Sequence, residues 1–183
     1  GKAFVDEVTF APADGDLWLA RQDGTPGETV WDGTLYGPFS VPTEQVDTTP
    51  GAAPVQATTT LIASQPGVQS TDVSAAAATA PGFYTWVWEL DHSSQPVASQ
   101  PYIEGSVTTA FMIEDETASV RHTATVTSMV RDFNVVQGGQ IHDVVTVSGL
   151  PDDHGDFPGT GGWAGDVDQI THTAYGPLPA QPT

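Results

Sequence analysis

Residues 1–38 of this chain return, in altered form, as residues 139–177. Asp6-Glu7-Val8-Thr9-Phe10 answers Asp143-Val144-Val145-Thr146-Val147, and Gly15-Asp16-Leu17 answers Gly155-Asp156-Phe157. Thr34-Leu35-Tyr36-Gly37-Pro38 then answers Thr173-Ala174-Tyr175-Gly176-Pro177. The matches keep their order at an offset of about 138 residues, the mark of a tandem array cut without regard to its domain boundaries. A chain built this way stops partway into a second copy, and repetition favours a structural or binding role over an active site.

The unit is built from strands. Apolar residues alternate with period two in short runs separated by Gly, Pro, Asp, Ser and Thr, which predicts an all-β antiparallel sandwich or barrel of tandem-repeat type, with the second copy only partly present. Expected strands are 4–10, 28–36, 54–63, 82–90, 105–113, 119–130 and 140–148. In 54–63, Val55, Ala57, Thr59, Leu61 and Ala63 share one face. The Ala-rich stretch 71–80 reads as a loop under Pro81.

Gly82-Phe83-Tyr84-Thr85-Trp86-Val87-Trp88-Glu89-Leu90 is the strongest strand. Tyr84, Trp86, Trp88 and Leu90 fall on one face and are the expected core, since aromatic side chains bury the most area. Tyr84 follows a Pro-Gly turn at the start of a late strand. That is the place of the tyrosine corner in immunoglobulin-like sandwiches, where the hydroxyl ties down a nearby backbone.

The phase of the repeat sets the expected domain layout. Residues 1–117 form a sandwich repeat lacking its first strand, with the boundary at Glu114-Asp115-Glu116-Thr117. Residues 118–183 supply the opening strands of a second repeat. Strand 119–130 is then expected either to fill the vacancy in its own molecule or to complete a neighbouring subunit, head to tail, as in β-strand addition.

Charge narrows the partners. With 23 acidic residues against four basic ones, the net charge is −19. Such a surface repels nucleic acid and anionic lipid, which need a basic footprint. The chain has no cysteine, so disulfides and thiolate metal sites are excluded. No apolar run reaches the roughly 18 residues of a membrane-spanning helix. No signal peptide or sorting motif is visible in the sequence.

The segments Val144-Val145-Thr146-Val147-Ser148-Gly149-Leu150-Pro151-Asp152-Asp153-His154-Gly155, Gly161-Gly162-Trp163, Pro81-Gly82-Phe83-Tyr84-Thr85-Trp86-Val87-Trp88 and Arg121-His122-Thr123 carry a resemblance. They resemble the tandem immunoglobulin-like repeats of cell-wall-anchored surface proteins of actinobacteria. That resemblance covers most of the chain and implies an extracellular stalk or adhesin-like role, with no catalytic residues to carry over. Copy one departs from it at Ala11-Pro12-Ala13-Asp14-Gly15, a shorter turn without the His.

Candidate chemistry is sparse. Asp152, Asp153 and Asp156, with His154 between them, offer oxygen ligands that could take Ca²⁺, the one cofactor considered. The alternative is an Asp-rich turn capped by its own side chains, and the spacing does not match an EF-hand loop. Asp14 and Asp16 are the counterparts in copy one. The five His lie in separate elements, and His122 and His142 are the two that could meet on adjacent strands. Gly159-Thr160-Gly161-Gly162-Trp163-Ala164 resembles a dinucleotide fingerprint but lacks the strand and helix that motif needs. No Gly-x-Ser-x-Gly elbow is present. Lys2 is the only lysine and Asn134 the only asparagine. Such a pair forms isopeptide bonds in Gram-positive stalk domains, provided both partners are buried.

These features predict a non-enzymatic, extracellular structural or adhesive surface repeat whose partners are like domains. The alternative is a module binding carbohydrate or Ca²⁺ through exposed aromatics such as Trp18, Trp31 or Trp163. A spacer buries those tryptophans, whereas a binding module presents them. A hydrolase would need carboxylates converging in a cleft.

Overall fold

The computed structural model describes residues 3–71, 80–120, 122–150 and 169–177. Their architecture is all-β and antiparallel, with no α-helix among the described residues. The described residues form nine strands: β1 (Glu7–Phe10), β2 (Thr29–Phe39), β3 (Val55–Ala63), β4 (Gly67–Ser70), β5 (Gly82–Leu90), β6 (Val107–Thr108), β7 (Thr117–Val120), β8 (Thr125–Val130) and β9 (Asp143–Ser148). They form three sheets. In the largest the order is β3-β2-β5-β6, with β7 also on β5; β1 pairs with β4, and β8 with β9.

β5 is the centre of the large sheet because its sequence suits burial on both sides. Every residue of it except Glu89 is buried. Tyr84, Trp86 and Trp88 join Leu35 in one cluster, against which Phe4, Val8, Trp31, Ala57, Leu61 and Val120 pack. Glycine on the neighbouring strand makes room for these rings. Gly33 lies opposite Trp88 in the register, and a Cβ there would sit 2.6 Å from the indole.

The reverse face of β5 carries a second cluster. Val87 packs there with Phe111 and Met112, and Phe111 meets the rings of Tyr36 and Phe39 edge-on, with centroids 5.9 and 5.6 Å apart. This corrects the strand expected over 105–113. The strand on β5 ends at Thr108 with one further backbone bond, Thr109 N–H to Trp88 O at 2.9 Å, after which the chain swings under the sheet and Phe111 bridges to Val46. Met112 adopts a left-handed backbone (φ 62°) there. The side chains of Phe111 and Met112 cover a face that alternation alone leaves open.

Two more expectations change. Strand 119–130 is two strands: Thr117–Val120 continues the edge of β5, and Thr125–Val130 pairs with β9. The large sheet therefore extends past the boundary expected at 114–117, through Val120. β4 has no counterpart among the expected strands, because Gly67-Val68-Gln69-Ser70 is too short and polar to show a period. It holds β1 in register from Glu7↔Ser70 to Phe10↔Gly67.

Candidate functional site

Trp88 ties the two sheets of residues 3–120 together. Its indole N–H donates to Asp6 Oδ2 at 2.8 Å, from the large sheet to the residue before β1. Phe4 stacks at a tilt on Tyr84 with centroids 4.6 Å apart, and Phe10 meets Trp31 at 5.8 Å. β1 is thus anchored over the core by its inward residues.

Beside β1 runs a cavity of about 540 Å³. Glu7, Val8, Thr9, Phe10 and Ala11 all line it, together with Trp18, Trp31, Trp88, Thr109 and Glu116. Successive strand residues point to opposite faces, so five in a row can share one cavity only if it follows the strand's edge. The other edge of β1 is occupied by β4. The cavity therefore separates the open edge of β1 from the segment linking β6 to β7.

Hydrogen-bond parity shows what this edge presents. Thr71 N–H donates to Asp6 O, so Asp6, Val8 and Phe10 are the residues whose backbone groups face β4. In an antiparallel pair the intervening residues face away. Glu7 and Thr9 accordingly turn their N–H and C=O toward the cavity, with no strand partner among the described residues.

Two carboxyls converge here. Glu116 lies within hydrogen-bonding reach of Asp6, and burial, then the Asp6 charge and that hydrogen bond, then Asp115, push its carboxyl up to about 7. Its Oε2 is buried with no hydrogen-bond partner. Of this pair, Asp6 is held by the Trp88 indole N–H. Neither residue stood out in the sequence, although Asp6 recurs as Asp143. There it takes a different partner: His172 Nε2 lies 3.2 Å from Asp143 Oδ2, and His172 is the counterpart of Gly33, over which Trp88 sits in copy one.

The Tyr84 hydroxyl donates to Ala80 O at 2.7 Å and accepts from Ala80 N–H at 3.3 Å, fixing the backbone that enters β5. Trp18 and Trp31 are half-buried, and their indole N–H groups are spent on Gly27 O and Thr29 Oγ1. Asp152, Asp153, His154, Asp156 and Trp163 lie outside the described residues, as do Lys2 and the glycine run at 159–164. Asp14 and Asp16 are exposed in a turn, and no three potential metal ligands converge among the described residues.

Asn134 is exposed in the loop between β8 and β9, which removes the burial an isopeptide bond requires. His122 and His142 do not meet. The register places His142 beside Arg131, whose N–H donates to His142 O, while His122 lies beyond the opposite end of the hairpin. His142 Nδ1 instead contacts Asp132 at 2.9 Å.

No known protein family, curated protein or solved structure matches this chain.

Proposed function

We propose that this chain is a structural repeat of an extracellular surface protein, an immunoglobulin-like sandwich whose work is to hold neighbouring domains in line. The observation that carries this reading is the internal use of the tryptophans. Trp88 is buried and Trp31 packs on the core, and Trp18, Trp31 and Trp88 all direct their indole N–H groups at protein atoms. A binding platform needs a ring face and a polar edge left for the ligand.

Strand order supports the sandwich. β1 and β4 stand where strands B and E lie in such a fold, and β3, β2, β5 and β6 with β7 follow the C′, C, F and G order. Tyr84, at the start of the F-like strand and bonded four residues upstream, takes the tyrosine-corner position. The groove beside β1 then corresponds to the place of the first strand. On this reading one complete repeat runs from a β8-type strand to a β7-type strand. The resemblance to actinobacterial surface proteins supports a place outside the cell.

The test is a titration followed by tryptophan emission and thermal melting, using millimolar Ca²⁺ and a panel of soluble oligosaccharides. Unchanged emission and melting temperature are expected. A saturable response to either would overturn the structural reading in favour of a ligand-binding module.

A further inference from the structure

One edge of the large sheet carries no charge of its own. From Thr48 to Thr71 the sequence holds no acidic or basic residue, in a chain whose net charge is −19. β3 lies in this stretch and ends the sheet, with β2 on one side and no strand on the other among the described residues. Natural sheet edges are blunted by charges, prolines or bulges. Val55–Ala63 contains neither charge nor proline, and Pro54 and Pro66 stand outside it. Its one register shift against β2 falls at Gln56, so the ladder is regular from Ala57 to Ala63.

Hydrogen-bond parity fixes what this edge presents. Trp86 N–H donates to Glu116 O and Trp88 O accepts from Thr109 N–H, so Val87 and Glu89 are the residues of β5 that face β2. Opposite them, Thr34 and Asp32 face β5. That leaves Trp31, Gly33 and Leu35 to bond Leu61, Thr59 and Ala57 of β3. Thr58, Thr60 and Ile62 accordingly turn their N–H and C=O outward. Gln69 shows the same sense independently, because its side-chain amide donates to Ile62 O at 3.1 Å. Thr58 and Thr60 have no such substitute among the described residues.

The strand that fits here is extended and uncharged. β3 of a second copy is both, and a two-fold axis presents a patch to itself. In that arrangement a charged edge would meet its own like charge, which β3 avoids. Outward residues pair only with outward residues, which confines the axis to Thr58, Thr59 or Thr60. An axis at Thr60 would need Ile62 O, which Gln69 occupies, and one at Thr58 would reach the bulge at Gln56. With the axis at Thr59, Thr58 of each copy lies opposite Thr60 of the other, and the two exchange N–H···O bonds. Threonine facing threonine is a favourable cross-strand pair. Asp32, which accepts from Thr60 Oγ1, stays one strand back. Two such carboxylates stand three strand spacings apart, about 14 Å, beyond the screening length of about 8 Å in physiological salt.

We propose that the outer edge of β3 is a self-association surface, on which a second copy of this chain pairs its own β3 antiparallel about a two-fold axis at Thr59. This lateral contact goes beyond the structural reading above and does not depend on it.

A contact through one strand is small beside the roughly 1,200 Å² of stable complexes, so the dimer should form only toward millimolar concentration. Sedimentation equilibrium should show the mass rising to that of a dimer and no further, since a two-fold contact uses both edges. Thr58→Pro removes an outward N–H, a change edge strands tolerate, and should leave only monomer. Thr58→Glu should raise the dissociation constant about tenfold. The chain has no cysteine, so Thr59→Cys reports the register alone. Facing residues of a non-hydrogen-bonded pair stand about 4.5 Å apart at Cα, within disulfide range, and oxidised glutathione should link this variant into covalent dimers. Adding Thr58→Pro to Thr59→Cys should abolish the link. Circular dichroism matching that of the unmodified protein shows that each variant folds. Three results overturn the proposal: an unmodified chain that is monomeric through millimolar concentration, a Thr58→Glu variant that dimerises undiminished, or a Thr59→Cys variant that stays unlinked. Each leaves the Ca²⁺ and oligosaccharide titration untouched, so failure here is distinguishable from failure of the structural reading.

Discussion

At the scale of single residues, the side chains that matter most are those whose role depends on a distant partner. Tyr84 and Trp88 could be read from the sequence because a period-two aromatic run after Pro-Gly shows its own orientation. Glu116 could not, because its environment is made by Asp6, 110 positions away in the chain, and by burial beside the groove. Its raised carboxyl has a definite consequence for stability. The folded state keeps the Glu116 proton to about pH 7, whereas an unfolded chain releases it near the ordinary value of 4.5. Between those limits the folded state binds the extra proton, so this group's contribution to stability falls as pH rises from about 4.5 to about 7 and then levels. Glu116→Gln should melt near the parent temperature at pH 4.5 and above it at pH 8, measured at a dilution where the chain is monomeric. Parallel melting curves for the two proteins across that range would remove the buried acid from the account.

Among the elements, the strands that alternation predicts best are long ones that bury a face. Gly82–Leu90, flanked on both sides, is found as expected, and Val55–Ala63, an edge strand nine residues long, lies within one residue of its expected bounds. The short edge elements were illegible for physical reasons. β6 is only two residues long before Phe111 is drawn under the sheet, and β4 is defined by β1 and not by its own sequence. The start of β2 is held by a side chain in place of a strand. Gln95 Oε1 accepts from Val30 N–H at 2.7 Å, and its Nε2 donates to Val30 O at 2.8 Å, so one amide satisfies the backbone as a ladder partner would. Gln95 is buried, and water cannot readily replace it. Gln95→Ala should therefore cost about 1–3 kcal/mol, the range for leaving buried polar groups unpaired. Urea denaturation measures this directly, and a loss below about 0.5 kcal/mol would mean the edge is solvated instead.

For the whole molecule, the recurrence that opened the sequence becomes a statement about where stability lies. Residues 3–71 and 80–120 pack around β5, whereas among the described residues β8 and β9 pair only with each other. A lone two-stranded hairpin is marginal in water, because it fixes backbone without burying a face. Hydrogen exchange should report this as a gradient, from nearly unprotected amides in the hairpin to amides in β5 that open only with global unfolding. Exchange that is equally slow in β8, β9 and β5 would instead make the hairpin an integral part of the folded unit.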